Sequence, residues 1–299
     1  RPAVAALASG AGVLGLAGAC LAGLIPAITP AATSQLTGSL ITATPRNGTS
    51  TQQLTQPSSD SSGAGAKGEG QAGALAPRSS CRSVVHVGDS TSDGLNSPNY
   101  LPNRALRLST QYGDVGVRQV TWEISGGRSI VETLQGQPNA ATVAQRLIRH
   151  GYRGCWVLAL GTNDTADVFV GSNVDVAQRI QRMMAVIGHQ PVMWINVVSL
   201  LHSGPYSEHD MRMWDQALLR ACPRYPNMRV YDWASVAQRR WFISDGIHYT
   251  SPGYAVRSRD IAQALAQAFP AAPPVKLHQA TVERELDGSG AATPSCLVH

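Results

Sequence analysis

A serine, a histidine and an aspartate of this chain lie in short motifs of the kind that acyl-transfer chemistry requires. Ser90 closes a Gly-Asp-Ser tripeptide behind an apolar run, and Asp245 and His248 stand far downstream in Asp-Gly-Ile-His. A serine hydroxyl is a poor nucleophile unless a base lies within hydrogen-bond reach and a third group orients that base. We therefore predict Ser90 as the nucleophile, His248 as the base and Asp245 as the group that fixes the histidine tautomer.

The same chemistry needs donors for the oxyanion that develops on the attacked carbonyl. The candidates are the backbone N–H of Ser90, the backbone N–H of Gly126 and the side-chain amide of Asn163. Glycine lets the backbone approach a ligand closely, so Gly126 is preferred, with the neighbouring Gly127 as the alternative. Asn163 lies in Gly-Thr-Asn-Asp, which again follows an apolar run.

Each of these motifs also has a structural interpretation when it is taken alone. Asp89 and Ser90 can cap a helix, Gly-Thr-Asn-Asp can form a turn, and Asp-x-x-His can be a local hydrogen bond on the surface. Their order along the chain, and their positions after apolar runs or before the last helix, favour one catalytic site.

The elements that must position these residues alternate between strand and helix. Short apolar runs typical of buried strands lie at 84–87, 119–124, 155–160, 192–198 and 228–231. Apolar residues at helical spacing lie at 142–150, 174–187, 209–221 and 254–269. This alternation predicts an α/β fold with a parallel sheet covered on both faces. In such sheets the ligand site lies beyond the carboxyl ends of the strands, where all the motifs fall.

These motifs together resemble the SGNH, or GDSL, hydrolase superfamily. Ser90, Gly126, Asn163 and His248 would be its four name-giving residues, and Thr91 stands where leucine is common in the longer form of the first block. The resemblance covers roughly residues 81–269. It implies a flavodoxin-like three-layer sandwich with a central parallel sheet, a Ser-His-Asp mechanism, and neither metal nor cofactor.

The regions that flank this domain predict a location outside the cytoplasm. Residues 1–29 are apolar, with no charge between Ala3 and Ile28, which suits a transmembrane or signal-anchor segment, or alternatively a buried helix. Residues 30–79 are predicted to be a disordered linker, 80–270 the hydrolase domain and 271–299 a disordered tail. This layout resembles the exported SGNH domain attached to membrane acyltransferase-3 proteins.

Charge and cysteine content narrow the possible partners. The net charge is +5 and the arginines are dispersed without a basic run, which argues against nucleic-acid binding. No cysteine or histidine spacing suggests a metal site. Cys81, Cys155 and Cys222 stand at ends of elements opposite the predicted site, so a disulfide among them is expected, with the pair left open.

Several other residues have two interpretations. His86 is expected to be a buried structural histidine, and Arg128 either holds an anionic group or is a solvated charge. The loop at 203–206 either lines the site or is purely structural, and Trp241 and Phe242 either wall an acyl pocket or belong to the core.

The sequence thus predicts an extracytoplasmic serine esterase or O-acyltransferase. Its substrate would be an acyl ester of a cell-envelope carbohydrate or lipid, and its N-terminal segment would contact the membrane. The alternative is a non-catalytic carbohydrate- or lipid-binding module on the same fold.

Overall fold

The computed structural model describes residues 77–134, 136–272 and 296–299. The predicted membrane segment, the predicted linker up to residue 76 and most of the predicted tail lie outside these residues. Within them, no helix combines the length and the apolarity that crossing a bilayer requires.

Six parallel strands form one open sheet in the order β2-β1-β3-β4-β5-β6. The strands are β1 Ser83–Gly88, β2 Gln119–Ile124, β3 Cys155–Ala159, β4 Val192–Ile195, β5 Met228–Tyr231 and β6 Leu297–Val298. β1 lies between β2 and β3, and Gly88 at its end pairs with both Ile124 and Ala159. The carboxyl ends of these three strands are therefore level, and the loops that follow them meet at one edge of the sheet.

Helices cover both faces of the sheet and complete the three-layer α/β fold that the sequence predicts. The helices are α1 Leu108–Asp114, α2 Ala140–Arg149, α3 Thr162–Phe169, α4 Val176–Ile187, α5 Glu208–Ala221, α6 Trp233–Val236 and α7 Ser251–Ala268. Helices α1 and α7 contribute to one core cluster and α2, α4 and α5 to the other. Because successive side chains of a strand point to opposite faces, Val84 belongs to the first cluster and Val85 to the second.

The end of the chain differs from the sequence prediction. Residues 296–299 were expected to lie in a disordered tail, but Leu297 pairs with Val230, and Val298 with Tyr231. A disulfide between Cys222 and Cys296, whose Cα atoms are 6.1 Å apart, joins this strand to the end of α5. The prediction of disorder is therefore wrong for these four residues, because a bridge and a strand partner hold them.

A second disulfide joins the two central strands. Cys81 precedes β1 and Cys155 begins β3, and their Cα atoms are 5.7 Å apart. Both bridges lie at or near the amino ends of strands, opposite the edge to which the catalytic motifs were assigned. The expected position of the cysteines is confirmed, and the pair left open among Cys81, Cys155 and Cys222 is Cys81–Cys155. Cys222 pairs instead with Cys296, which the sequence prediction did not include.

Candidate active site

Ser90, His248 and Asp245 form a continuous chain of hydrogen bonds. The Oγ of Ser90 lies 2.7 Å from Nε2 of His248, although the two residues are 158 positions apart. The Nδ1 of the same ring lies 2.7 Å from Oδ2 of Asp245. The three side chains that the sequence selected are thus brought together in the order that a serine nucleophile requires.

A tight turn before α7 places the carboxylate beside the ring. Gly246 adopts φ +70°, and the peptide N–H of this glycine donates to the carbonyl of Ile243. The turn lets Oδ1 of Asp245 accept the backbone N–H groups of Ile247 at 2.8 Å and His248 at 3.0 Å. A residue with a Cβ would be strained at this φ, so glycine suits the short Asp-Gly-Ile-His spacing.

The electrostatics of Asp245 select one histidine tautomer. Partial burial raises the pKa of this carboxyl, but the N–H of Ile247 and the ring and backbone of His248 outweigh that effect and lower it. An ionised carboxylate can only accept, so Nδ1 of His248 carries the proton that faces Asp245. Nε2 is then free to accept the hydroxyl proton of Ser90, as a general base must.

The nucleophile stands at the start of a short 3₁₀ helix, Ser90–Leu95, directly after β1. The carboxylate of Asp89 caps it by accepting the N–H of Thr91 at 2.9 Å and the hydroxyl of Thr91 at 2.7 Å. The motif therefore serves as a cap and presents the nucleophile at the same time. Within the described residues, the N–H of Ser90 has no internal acceptor, which leaves it available to an oxyanion.

His86 supports this helix from below as the buried structural histidine that the sequence predicts. Its side chain is fully buried, with Nδ1 3.1 Å from the hydroxyl of Tyr112 and Nε2 3.3 Å from the hydroxyl of Ser92. Burial, with a smaller effect of Arg257, lowers the pKa of His86 to about 3, so the ring is neutral at ordinary pH.

Two glycines follow β2 at the position predicted for an oxyanion donor, and they differ in their surroundings. The N–H of Arg128 donates to the carbonyl of Ser125, which closes a turn with Gly127 at φ +69°. Gly127 lines a cavity together with Asn163, whereas Gly126 is exposed and does not line it. This geometry favours the alternative, Gly127, over Gly126 as the residue closest to the reacting carbonyl.

Asn163 lies in the first turn of α3 and faces the loops that follow β1 and β2. Its amide nitrogen is 3.3 Å from Oδ2 of Asp89 and 3.3 Å from the carbonyl of Arg128. Its amide oxygen accepts the hydroxyl of Tyr206 at 3.4 Å. These contacts are long for hydrogen bonds, so an oxyanion placed beside the amide N–H groups can compete for them.

A buried arginine connects the loop after β2 with the first turn of α3. The guanidinium of Arg179, on α4, contacts Glu132 at 2.5 and 2.6 Å and Asp164 at 2.9 Å. Asp164 also accepts the N–H of Ile130 at 2.9 Å, as expected of a residue that holds its loop. Burial raises the pKa of Asp164 to about 7 in spite of these donors. The network joins α4, the first turn of α3 and the loop after β2.

The cavity beside Asn163 has a volume of about 170 Å³ and is lined mainly by residues with polar side chains. Glu132 and Asp167 supply carboxylates, Ser129 and Tyr206 supply hydroxyls, and the hydroxyl of Ser129 donates to Asp167. Hydrogen bonds from Arg179 and Ser172 lower the pKa of Glu132 below its ordinary value, against the effect of burial. Burial, reinforced by Glu132, raises the pKa of Asp167.

Sequence reasoning did not find these cavity residues. Tyr206 belongs to the loop for which two interpretations were open, and it does line the cavity. Glu132 and Asp167 belong to no motif that the sequence analysis used. The only signal was their position a few residues after the candidate oxyanion donors Gly126 and Asn163.

Burial decides between the two interpretations that the sequence left open for Arg128, Trp241 and Phe242. Arg128 is 8% exposed, and its Nε and Nη1 contact no hydrogen-bond acceptor in the part of the chain described, so the interpretation as a solvated charge is wrong. Trp241 and Phe242 are buried in the core cluster of α7.

Comparison with known proteins shows the fold of this domain. No family model matches the chain, and no curated protein sequence does so either. A carbohydrate acetylesterase family member from Sinorhizobium meliloti superimposes with a TM-score of 0.50 at 16% identity, covering 62% of this chain and 98% of that one. The domain therefore has an α/β three-layer fold of the SGNH hydrolase type.

Two further solved structures have somewhat lower scores. The C-terminal catalytic domain of peptidoglycan O-acetyltransferase A from Streptococcus pneumoniae gives a TM-score of 0.46 at 13% identity, covering 63% of this chain and 94% of that one. A lipase/acylhydrolase from Enterococcus faecalis also gives 0.46, at 18% identity, covering 63% of this chain and 97% of that one.

Proposed function

We propose that this chain, whose domain has the SGNH hydrolase fold, is an extracytoplasmic serine esterase or O-acyltransferase. Its substrate would be an acyl ester of a cell-envelope carbohydrate or lipid. The observation that carries the proposal is the unbroken chain from Ser90 Oγ through the His248 ring to the Asp245 carboxylate, with both links at 2.7 Å.

The reaction proceeds in two halves. His248 takes the hydroxyl proton of Ser90 as the oxygen attacks the ester carbonyl, and Asp245 stabilises the imidazolium that forms. The backbone N–H of Ser90, a glycine N–H of the turn after β2 and the amide of Asn163 hold the oxyanion. His248 then protonates the leaving alcohol, and an acyl-enzyme remains on Ser90.

The second half separates the two named activities. Water attacks the acyl-enzyme in an esterase, whereas a hydroxyl of a second substrate attacks it in a transferase. The same residues serve both acceptors, so product analysis in water with and without an added polyol distinguishes them. A transferase gives an acylated polyol, and an esterase gives only the free acid.

A non-catalytic binding module is the competing proposal. Such a module has no need of a base held 2.7 Å from a serine hydroxyl or of an orienting carboxylate behind it. Retention of all three groups in working geometry supports the enzyme.

Hydrolysis of a series from p-nitrophenyl acetate to octanoate tests the enzyme proposal. Ser90→Ala should lower the rate by on the order of 10⁴–10⁶. Asn163→Ala should lower kcat by about 10²–10³ through loss of one oxyanion donor. Ser109→Ala, at an exposed serine of α1, is the matched control and should retain full activity. Turnover that survives in Ser90→Ala would exclude the proposed nucleophile.

The extracytoplasmic location is supported by the apolar segment at residues 1–29 and by the disulfides, which persist in oxidising compartments. Fractionation of cells expressing the full chain, with protease added outside, tests it. The domain should be digested without lysis, and protection until lysis would contradict the location.

A further inference from the structure

The cavity beside Asn163 opens where the scissile ester must lie. Gly127 and Asn163, which supply candidate oxyanion donors, form part of its wall. A carbonyl held by these donors would therefore carry either its acyl part or its alcohol part into this space. The cavity volume, about 170 Å³, is below the range of about 300–1,000 Å³ that is usual for drug-sized ligands.

The side chains that line the cavity favour a group that forms hydrogen bonds over an acyl chain. Ser129, Glu132, Asp167 and Tyr206 present hydroxyl and carboxyl groups, and Leu134 is the one large apolar side chain among the residues that line it. An apolar chain in this space would take carboxylates out of water without offering hydrogen bonds in return, which is unfavourable. A group rich in hydroxyls would satisfy them.

The charge of the cavity is negative on its open side. Arg179 contacts three carboxyl groups, those of Glu132, Asp164 and Asp167, whereas the buried guanidinium of Arg128 does not line the cavity. The side chains of Arg179 and Asp164 are 0% exposed, whereas those of Glu132 and Asp167 are 35% and 25% exposed. An entering group therefore meets the two carboxyl groups, and the arginine lies behind them.

From these observations we infer that the cavity is the subsite for the alcohol part of the ester. The alcohol it takes is a neutral or amine-bearing polyol such as a sugar, and alcohols that carry a carboxylate or phosphate are disfavoured. The inference rests on the proposed function and deepens it, because it chooses carbohydrate over lipid and gives Glu132 and Asp167 a role in specificity.

Matched acetate esters test the inference, with kcat/KM measured at several pH values because the pKa of Asp167 is raised by burial. The substrates are a methyl glucoside, a methyl glucosaminide and a methyl glucuronide, acetylated in turn at each corresponding ring hydroxyl, with vinyl acetate as an ester whose alcohol is too small to fill the cavity. The wild type should favour the neutral glycoside over the glucuronide by at least about tenfold in kcat/KM. The glucosaminide should be at least as good as the glucoside.

Asp167→Asn isolates the role of charge. The change keeps an acceptor for Ser129 but removes one negative charge, so it should reduce the preference over the glucuronide by about fivefold. Asp114→Asn, at an exposed aspartate that ends α1, should leave the preference unchanged. An unchanged preference in Asp167→Asn would overturn the inference.

Leu134→Trp isolates the role of space. Leu134 is 51% exposed, so a larger side chain can be placed there without disturbing the core. It should raise KM for the acetylated glucoside by about tenfold relative to KM for vinyl acetate. Equal effects on both esters would place the alcohol elsewhere. Absence of vinyl acetate turnover in the wild type would instead contradict the proposed function, so the two failures are distinguishable.

Discussion

The two glycines after β2 differ in what a methyl group would meet, and this difference allows the proposed oxyanion donor to be tested by substitution. A Cβ at Gly127 would lie 2.2 Å from Cδ2 of Leu134 at a φ of +69°, whereas a Cβ at Gly126 would meet nothing within 4 Å. The exposed Leu134 side chain can move away, but a Cβ is strained at this φ, so Gly127→Ala should distort the turn and lower kcat on p-nitrophenyl acetate by about 10²–10³, the loss expected for one oxyanion donor. Gly126→Ala should remain close to wild type.

Thermal unfolding of both glycine variants provides the control, because only a loss of kcat at an intact melting temperature bears on the oxyanion. The opposite order of effects, with Gly126→Ala inactive and Gly127→Ala active, would return the role to Gly126.

Asp215 makes the stability of the domain dependent on pH. It lies on α5, accepts the N–H of Val197 at 3.0 Å, and has its pKa raised to about 8 by burial, with a further contribution from Asp232. Its folded pKa is above its unfolded value, so the native state binds the extra proton between about pH 4 and about pH 8. The free energy of unfolding should therefore fall as pH rises through this window, by at most about 1.4 kcal/mol per pH unit.

Asp215→Asn keeps a hydrogen-bond acceptor for Val197 and removes the titration. Denaturant unfolding at several pH values should show a shallower decline than in the wild type, with the variant gaining relative stability towards pH 8. Asp114→Asn, at an exposed position, should follow the wild-type curve. Parallel curves for Asp215→Asn and the wild type would show that this carboxyl does not titrate in the window.

At the scale of single residues, the sequence predicted the candidate site residues that lie in short local motifs. Ser90, Asp245, His248 and Asn163 were proposed because acyl transfer requires those residue types after strands or in a tight turn, and the structure joins the first three by hydrogen bonds. The choice between Gly126 and Gly127 depends on the conformation of the turn, which adjacent identical residues do not reveal. Tyr206 enters the site only through tertiary packing, so no local signal marks it.

The elements themselves were predicted where a long apolar periodicity exists. β2 and β5 have the predicted bounds, and α4 and α5 begin within two residues of the prediction. Four of these helices and strands were missed for physical reasons, one of them being α6, which has only four residues. α1 has seven residues, α3 coincides with the polar motif that attracted a catalytic interpretation, and β6 has two residues that are held by a bridge from outside their own sequence.

Arg179 determines how firmly α3, α4 and the loop after β2 hold together. Arg179→Met leaves the buried carboxyl of Asp164 without its cation, so the free energy of unfolding should fall by about 3–5 kcal/mol. Activity measured well below the melting temperature should also fall. Asp164 accepts the N–H of Ile130 and lies in the same helix turn as Asn163, so a change at Asp164 should displace the Asn163 amide. Arg182→Met, at an exposed arginine of the same helix, is the matched control.

Denaturant unfolding and kcat measured on the same samples separate the two effects. Arg179→Lys keeps the charge but loses the two-point contact with Glu132, so it should fall between the wild type and Arg179→Met. A value of kcat that does not change in Arg179→Met would confine this arginine to stability.

In the whole domain, the candidate catalytic residues and the disulfides lie towards opposite ends of the strands. The carboxyl ends of β1, β2 and β3 carry the loops of the site, because parallel strands bring all their following loops to one edge. Both disulfides lie towards the other edge, where they cross-link strand beginnings and helix ends. The loops that would contact the substrate are thus attached to a sheet that the disulfides cross-link towards its opposite edge.

The two bridges form a matched pair for measuring that reinforcement. Each closes a loop with a sequence separation of 74 residues, so the entropic contribution predicted for each is equal, about 4 kcal/mol. Cys81→Ala/Cys155→Ala and Cys222→Ala/Cys296→Ala should both lower the free energy of unfolding by about 2–4 kcal/mol. The first pair should cost more, because Cys81 and Cys155 are both buried in one core cluster, whereas Cys296 is only partly buried.

Activity on p-nitrophenyl acetate at a temperature well below both unfolding transitions completes the comparison. Both double variants should retain most of the wild-type kcat, because neither bridge contacts the edge that carries Ser90 and His248. Hydrogen exchange should quicken in β5 of the second variant, since β6 loses its tether. A large loss of kcat at unchanged stability in either variant would show that the disulfides influence the geometry of the candidate catalytic residues.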